Sequence, residues 1–537
     1  MSSPRPPQAW SAPDLVSERP SEEGGLEVWC YTDRFSYLPG EEVEVRAHTS
    51  AEHFSLTVVR DGADPVQVLA LERIEGHAVA TPADSYARGC KWPLAVSFTV
   101  GADWRPGLYL LVVRVVVEGE SFEREHFIVV RARRGERPPM ALMLTTSTLL
   151  AYNDWGGANH YRGVVEEPWV DVPSPLVSAR RPIARGFLRL PPGAPREASH
   201  HTLGPMEPPH YPVLDWSRAN GYSRHCGDAF WASYERGFVQ WAERAGYELD
   251  YLTQHDLHFD PDALAGYETL LIVGHDEYWT WEMRDAVDAF VDAGGLLARF
   301  AGNYTWQVRL SSDGAEQTCY KDAALDPFAA DPEHAHLTTT RWEAVGRPPT
   351  ETTGLTGLTG IYSRYGNAAP RSAGGFTVYR PDHWALRDTG LCYGDLLGGP
   401  PAYVASFELD GVDYTFRDGL PYPTRSDGAP DSLQIIAMAP AVLGETDNWE
   451  GKLPLNASEA EAAEIRSVID GEPIERKRYG SGMVASFERG AGEVFNAGST
   501  EWVHGLITRD PFVEQITHNV LRRRGAPLRN PSDTEAG

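Results

Sequence analysis

The sequence predicts an all-β region followed by an α/β region in one chain. Residues 26–134 are expected to form an immunoglobulin-like β-sandwich, and residues 140–525 a parallel α/β sheet domain with β-rich additions. Three observations predict this. About seven short strand patterns, separated by turn signals, fill the first region. Apolar strands then alternate with amphipathic helical patterns at short spacing between residues 140 and 300, as a parallel sheet requires. From about residue 330 the pattern returns mainly to alternating strands.

The elements follow in order. Pro39-Gly40 is a turn signal, and Glu42 to His48 alternates polar and apolar after it. Phe54 to Arg60 and Leu94 to Val100 are further strands. Trp104-Arg105-Pro106-Gly107 turns into Leu108 to Val117, and Glu125 to Arg131 closes the set. Arg133 to Pro139, charged and proline-containing, suits a linker. Met140 to Thr145 is an apolar strand that runs toward Tyr152 and a Gly-Gly turn. Residues 158–226 are proline-rich and irregular. Ala229 to Arg244 has helical spacing, with Phe230, Tyr234, Phe238 and Trp241 on one stripe. Leu249 to Leu252, Thr269 to Val273 and Gly295 to Phe300 read as strands, Asp260 to Ala265 and Thr280 to Ala293 as helices. Tyr403 to Leu409, Met483 to Phe487 and Glu493 to Asn496 alternate as strands. A closing helix is expected from Asp510 to Arg524, with Asp510 as N-cap and Pro511 in the first turn.

The 537 residues carry 48 Lys and Arg against 76 Asp and Glu, a formal net charge of −28. That balance argues against nucleic acid and against anionic membrane surfaces as partners. The five cysteines, Cys30, Cys90, Cys226, Cys319 and Cys392, are scattered and never in C-x-x-C spacing, so neither a disulfide framework nor a thiolate metal site is expected. No run of about 18 apolar residues marks a membrane span. Residues 1–25 and 526–537 are polar and read as disordered tails, the first lacking the apolar segment of a signal peptide. A soluble, cytoplasmic protein is the expectation.

The richest chemistry lies at Gly274-His275-Asp276-Glu277-Tyr278-Trp279, directly after the apolar Leu270-Leu271-Ile272-Val273. A buried parallel strand delivers polar groups in this way to the carboxyl edge of its sheet, where α/β folds bind ligands. A capped helix start needs one carboxylate; a cluster of His, Asp, Glu and Tyr points to a metal site, an acid/base site or both. Two other strands end in polar groups, at Tyr152-Asn153-Asp154-Trp155-Gly156-Gly157 and at Gly302-Asn303. Residues just past adjacent parallel strands converge, so Tyr152, His275, Glu277 and Asn303 are expected around one pocket. No G-x-S-x-G, P-loop, G-x-G-x-x-G after a strand, or H-E-x-x-H is present. Cys226, in Arg224-His225-Cys226-Gly227, is expected to be an ordinary buried thiol.

These blocks, with Asp382-His383-Trp384 and Phe495-Asn496-Ala497-Gly498-Ser499-Thr500-Glu501-Trp502, resemble the large (β) subunit of N,N-dimethylformamidase over residues 140–525 in consistent order. The resemblance implies a sheet domain like that of class I glutamine amidotransferases, without their cysteine nucleophile. It implies a mononuclear iron held by two tyrosines and a glutamate. Glu277 matches the glutamate and Tyr152 one tyrosine; His275, Asn303 and Glu408 match catalytic positions. The second tyrosine does not transfer, because Ser178-Ala179-Arg180-Arg181-Pro182-Ile183 has none; Tyr161, Tyr211 and Tyr222 are the candidates.

The implied reaction is hydrolysis of the C–N bond of a small amide. Tyrosinate and carboxylate suit a hard cation, which activates a poor electrophile or acidifies a water. Glu408 would carry the proton, and His275 and Asn303 would hold oxygen atoms. A small subunit or a second copy of the chain is the implied assembly partner. Two rivals remain: a non-catalytic ligand-binding or accessory protein on the same fold, and a metal enzyme that activates oxygen instead of hydrolysing an amide.

Overall fold

A computed structural model describes residues 17–21, 24–163, 173–196, 212–362, 364–365, 371–442 and 479–525. The architecture is mixed α/β with a large share of β structure. Two sheets form the N-terminal region. One has three antiparallel strands, with Glu42–Thr49 between Val28–Thr32 and Leu94–Thr99. The other has five, in the order Ser36–Tyr37, Glu120–Val130, Gly107–Val117, His53–Asp61 and Val66–Glu75. Val43, Val45, Leu56, Val58, Leu111 and Ile128 share the core between them.

The strand Gly107–Val117 explains its own composition. Tyr109, Leu111 and Val113 point into that core. Leu108, Leu110 and Val112 point the other way, as period two requires, and join Trp29, Phe127, Met140, Leu142 and Trp155 in a second core. A sheet covered on both faces reads as a continuous apolar run. The link at 133–139 is therefore not a loose tether: just before it Ala132 N–H donates to Asp250 Oδ1 at 2.8 Å, and Pro139 O accepts from Glu268 N–H at 2.8 Å. Glu18, inside the stretch read as a tail, is buried and accepts from the Arg185 backbone N–H at 2.8 Å. The tail 526–537 lies outside the described residues.

The largest sheet begins with five parallel strands in the order Asp250–Thr253, Met140–Leu144, Thr269–His275, Leu296–Gly302 and Gly492–Asn496. It continues antiparallel through Tyr479–Arg489, Gln434–Val442, Thr356–Tyr362 and Glu408–Gly411. The last strand curls back over the parallel part. Asp410 N–H donates to Gly498 O at 2.9 Å and Thr500 N–H to Glu408 O at 3.1 Å. Gly302 permits that approach, since a Cβ there would stand 2.7 Å from Glu408 O. Helices Glu235–Arg244, Trp502–Ile507 and Pro511–Leu521 cover one face, and Trp281–Asp292 the other.

Several elements differ from expectation. The helix after Thr253 is Gln254–Phe259, not 260–265: Thr253 and Asp256 form a reciprocal capping box that starts it one turn earlier. Tyr152 ends a short helix, Thr146–Tyr152, instead of lying in a strand-to-loop turn. The strand expected from Tyr403 begins only at Glu408, since Tyr403 has a left-handed backbone at φ 48° and its N–H closes a turn onto Gly399 O. All five cysteines are free thiols, four of them buried. Among the described residues no helix is long and apolar enough to cross a membrane.

Candidate functional site

The parallel sheet places its polar strand ends together. Thr269–His275 ends at His275, and Gly274 turns the chain there at φ 83°. The Tyr234 ring fills the space a side chain would need, with Cβ at 2.2 Å from where a Gly274 Cβ would stand, so glycine is required on both counts. Leu296–Gly302 ends one residue before Asn303, which is itself left-handed at φ 63°. Helix Thr146–Tyr152 drops Tyr152 onto the same edge, and Thr148 Oγ1 accepts from Glu277 N–H at 3.0 Å.

Glu277 is the hub. Its carboxylate accepts from Tyr152 Oη at 3.0 Å, from Tyr161 Oη at 2.9 Å and from Trp306 Nε1 at 2.8 Å. Of the tyrosines the sequence left open, Tyr161 is the one that meets Glu277 among the described residues. Tyr222 packs against Trp216 and the Arg185 guanidinium instead, and Tyr211 lies outside the described residues. Asn159 holds Tyr161 there: its Oδ1 accepts from Tyr161 N–H at 2.8 Å and its Nδ2 donates to Tyr152 O at 2.7 Å. Tyr278, part of the ionisable cluster read from the sequence but given no role there, donates to Tyr161 Oη at 2.6 Å. Its signal was adjacency to Glu277. Tyr161 was one candidate of three through the family resemblance, and Trp306 gave no signal; both reach the site only through tertiary packing.

His275 links this group to Glu408. Nδ1 donates to Asp228 O at 2.9 Å. Nε2 faces Glu408 Oε2 at 3.0 Å, Glu277 Oε2 at 3.4 Å and Asn303 Nδ2 at 3.3 Å. The last contact suits a neutral imidazole that accepts, the first two a charged one that donates, so the partners compete for one nitrogen. The structure thus brings together Tyr152, His275, Glu277, Asn303 and Glu408. Asp276 turns away from them, where its carboxylate pairs with the buried Arg299 at 3.0 Å; Arg299 also bonds Asp410, two residues past Glu408.

Electrostatics follow from burial and these neighbours. Burial opposes a charge on His275, yet Glu408 and Glu277 outweigh it and raise the imidazole to about 10. Burial also opposes the charge of Glu277, but His275, Lys321 and Tyr161 hold its carboxyl below the ordinary value. Burial, and then Glu277, push the phenols of Tyr152 and Tyr161 well above 10. Burial and then the cations Arg224, Arg162 and Lys321 hold His225, which packs beside both phenols, far below its usual value. Without a cation, the two phenols are therefore neutral donors to one carboxylate. These oxygens are the donor set a hard cation prefers, and one would replace the phenolic protons at the same atoms. Across the described residues, His, Cys, Asp and Glu form no group of three or more spaced to hold a metal ion, so a cation at this cluster would have to draw on the phenols.

Comparison with known proteins bears on identity. A search of curated proteins returns no match. A β-glucuronidase structure from Parabacteroides merdae aligns over 51% of this chain and 23% of its own length, at 11% identity and a TM-score of 0.14. A second, with glycerol in its active site, aligns over 51% and 28% at 9% identity and a TM-score of 0.14. The chain thus spans about a quarter of those proteins, and scores this low carry no argument about fold or site. The profile of the family described as N,N-dimethylformamidase beta subunit-like, C-terminal, matches residues 57–515, which includes every residue of the cluster and most of the N-terminal sheets. With that match over most of its length, the chain belongs to the N,N-dimethylformamidase beta subunit-like family.

Proposed function

We propose that this protein is an amide hydrolase that uses a mononuclear iron to break the C–N bond of a small amide. The supporting observation is the convergence of Tyr152 and Tyr161 on Glu277 with His275 shared between Glu277 and Glu408. The same reading takes the N-terminal sheets as immunoglobulin-like, the parallel sheet as amidotransferase-like, and a small subunit or second copy as the assembly partner.

Tyr152, Tyr161 and Glu277 would hold the iron, which supplies a hard Lewis acid for the amide carbonyl or for a water. Trp306 and Thr148 fix the Glu277 carboxylate and backbone, and Tyr278 fixes the Tyr161 oxygen. Glu408 is not among those oxygen donors, and it does the proton work: it takes a proton from water and passes it to the departing amine. His275 stands 3.0 Å from it and carries or releases a proton at Nε2 as Glu408 does the reverse. Asn303 presents an amide N–H to the same space for a developing oxyanion.

Elemental mass spectrometry should find about one iron per chain, with the visible charge-transfer colour that tyrosinate gives ferric iron. Glu277→Ala should lose both metal and colour. Tyr161→Phe should weaken or shift the colour, since it removes one of two phenolates. A metal-free protein that hydrolyses amides at the full rate overturns the reading. Tyr161 beside Glu277 supports this reading over a non-catalytic binding protein on the same fold.

A further inference from the structure

The loop Ser223-Arg224-His225-Cys226-Gly227-Asp228 packs against the cluster without belonging to any of the strands that build it. Its cysteine is a buried free thiol; its histidine and aspartate are the side chains that meet the site. Between ring centroids, His225 lies 5.5 Å from Tyr152, edge to face at 82°, and 5.9 Å from Tyr161. His275 lies 5.0 Å from the same Tyr152 ring, and the two phenol rings are 4.6 Å apart. Two imidazoles therefore pack on one of the tyrosines that donate to Glu277.

Asp228 ties down both imidazoles. Its carbonyl oxygen takes the proton of His275 Nδ1 at 2.9 Å, which turns Nε2 toward Glu408 and Glu277. Its Oδ2 stands 2.9 Å from His225 Nδ1. Arg224 Nε–H donates to His225 Nε2 at 3.1 Å, so that nitrogen is bare and the ring proton sits on Nδ1, facing Asp228. The aspartate is set by its own turn: its N–H donates to His225 O at 3.1 Å, and Gly227 supplies the left-handed backbone at φ 83°. His225 N–H donates to Ser223 Oγ at 3.0 Å, and that hydroxyl donates to Asp154 Oδ2 at 2.7 Å. Asp154 lies two residues past Tyr152, so the loop closes onto the segment that carries the phenol. A hydrogen bond at its tip does not by itself fix a phenol ring; contacts along the ring do, as partners behind a ligand set its direction.

We propose that Asp228 is a positioning residue of this site: it holds His225 and His275 against Tyr152, and through His225 it sets the direction in which the Tyr152 and Tyr161 oxygens meet Glu277. Asp228→Asn keeps an oxygen that accepts from His225, whereas Asp228→Ala removes it. Crystal structures of the metal-free proteins should show both phenol oxygens within hydrogen-bond distance of Glu277 in wild type and in Asp228→Asn, and displaced from it in Asp228→Ala. His225→Ala, which removes the ring itself, should displace them too, and it serves as the test if Asp228→Ala does not fold. Phenols that stay in place in these variants overturn the proposal. So does an Asp228→Asn protein as displaced as Asp228→Ala, since the charge and not the hydrogen bond would then matter.

A second arm rests on the iron reading above. In iron-loaded protein, Asp228→Ala should shift the charge-transfer band and weaken iron binding on the order of tenfold, and Asp228→Asn should keep both near wild type. If wild type takes up no iron, that reading falls and the metal-free structures still decide the positioning role. If wild type is coloured and Asp228→Ala has the same band and the same affinity, the positioning role falls and the iron reading stands.

Discussion

Arg299→Met should destabilise the protein by about 3–5 kcal/mol, the cost of breaking a buried ion pair from one side. Arg299 is fully buried, and so are its partners Asp276 and Asp410. Its Nε meets Asp276 Oδ2 at 3.0 Å, its Nη1 bonds Asp410, and its Nη2 donates to Asp276 O at 3.1 Å. Burial alone would lower the guanidinium pKa, yet the two aspartates raise it above normal. Burial raises the carboxyl of Asp276 despite Arg299. The triad therefore adds little net stability as a unit, but each member needs the others. Methionine matches the stem and leaves two carboxylates with no counter-charge. At this chain length 1 kcal/mol moves the unfolding temperature by only about 1 °C, so a drop of roughly 3–5 °C is expected at neutral pH. Adding Asp410→Asn should recover part of the loss, because the double variant strands one charge fewer. An unchanged midpoint for Arg299→Met, or a double variant whose loss is the sum of the singles, would refute the reasoning.

Two further outcomes follow from named groups. Glu408→Gln keeps the shape of a buried side chain that is not one of the three oxygen donors, so iron content and unfolding temperature should hold while kcat falls on the order of a hundredfold or more; normal turnover would remove the proposed proton carrier. Glu235, buried with Oε2 lacking a hydrogen-bond partner among the described residues, accepts from Thr145 Oγ1 at 2.7 Å, and burial raises its carboxyl from 4.5 to about 7. The folded state then keeps a proton that the unfolded chain has lost, so its stabilising contribution is complete below pH 4.5 and falls away up to about pH 7. Glu235→Gln should remove that slope and gain up to ~3 kcal/mol at pH 8 relative to pH 4.5; parallel stability curves for variant and wild type would count against it.

The sequence was legible where local pattern and tertiary role coincide. Thr269–His275, Leu296–Gly302 and Pro511–Leu521 follow from apolar periodicity with a glycine, an N-cap or a proline at the boundary. His275, Glu277 and Asn303 were legible because parallel strands bring their carboxyl ends to one edge. Tyr152 was placed at the right edge on the wrong element, since three hydroxyl residues at 146–148 did not signal a helix. Tyr161 was one candidate among three, because its position depends on the Asn159 side chain, a contact without period. Glu408 was reached only through family resemblance. Its strand starts late, and nothing local says that the sheet curls back over Gly302.

The doubly covered strand Gly107–Val117 bears on how this chain was inherited. A module whose outer face is someone else's core cannot be shuffled between proteins as a bead on a string. Loss of the first 134 residues would bare Leu142, Trp155 and Phe230 to water. A fragment that begins at residue 140 should therefore fold poorly by itself and aggregate through the bared face.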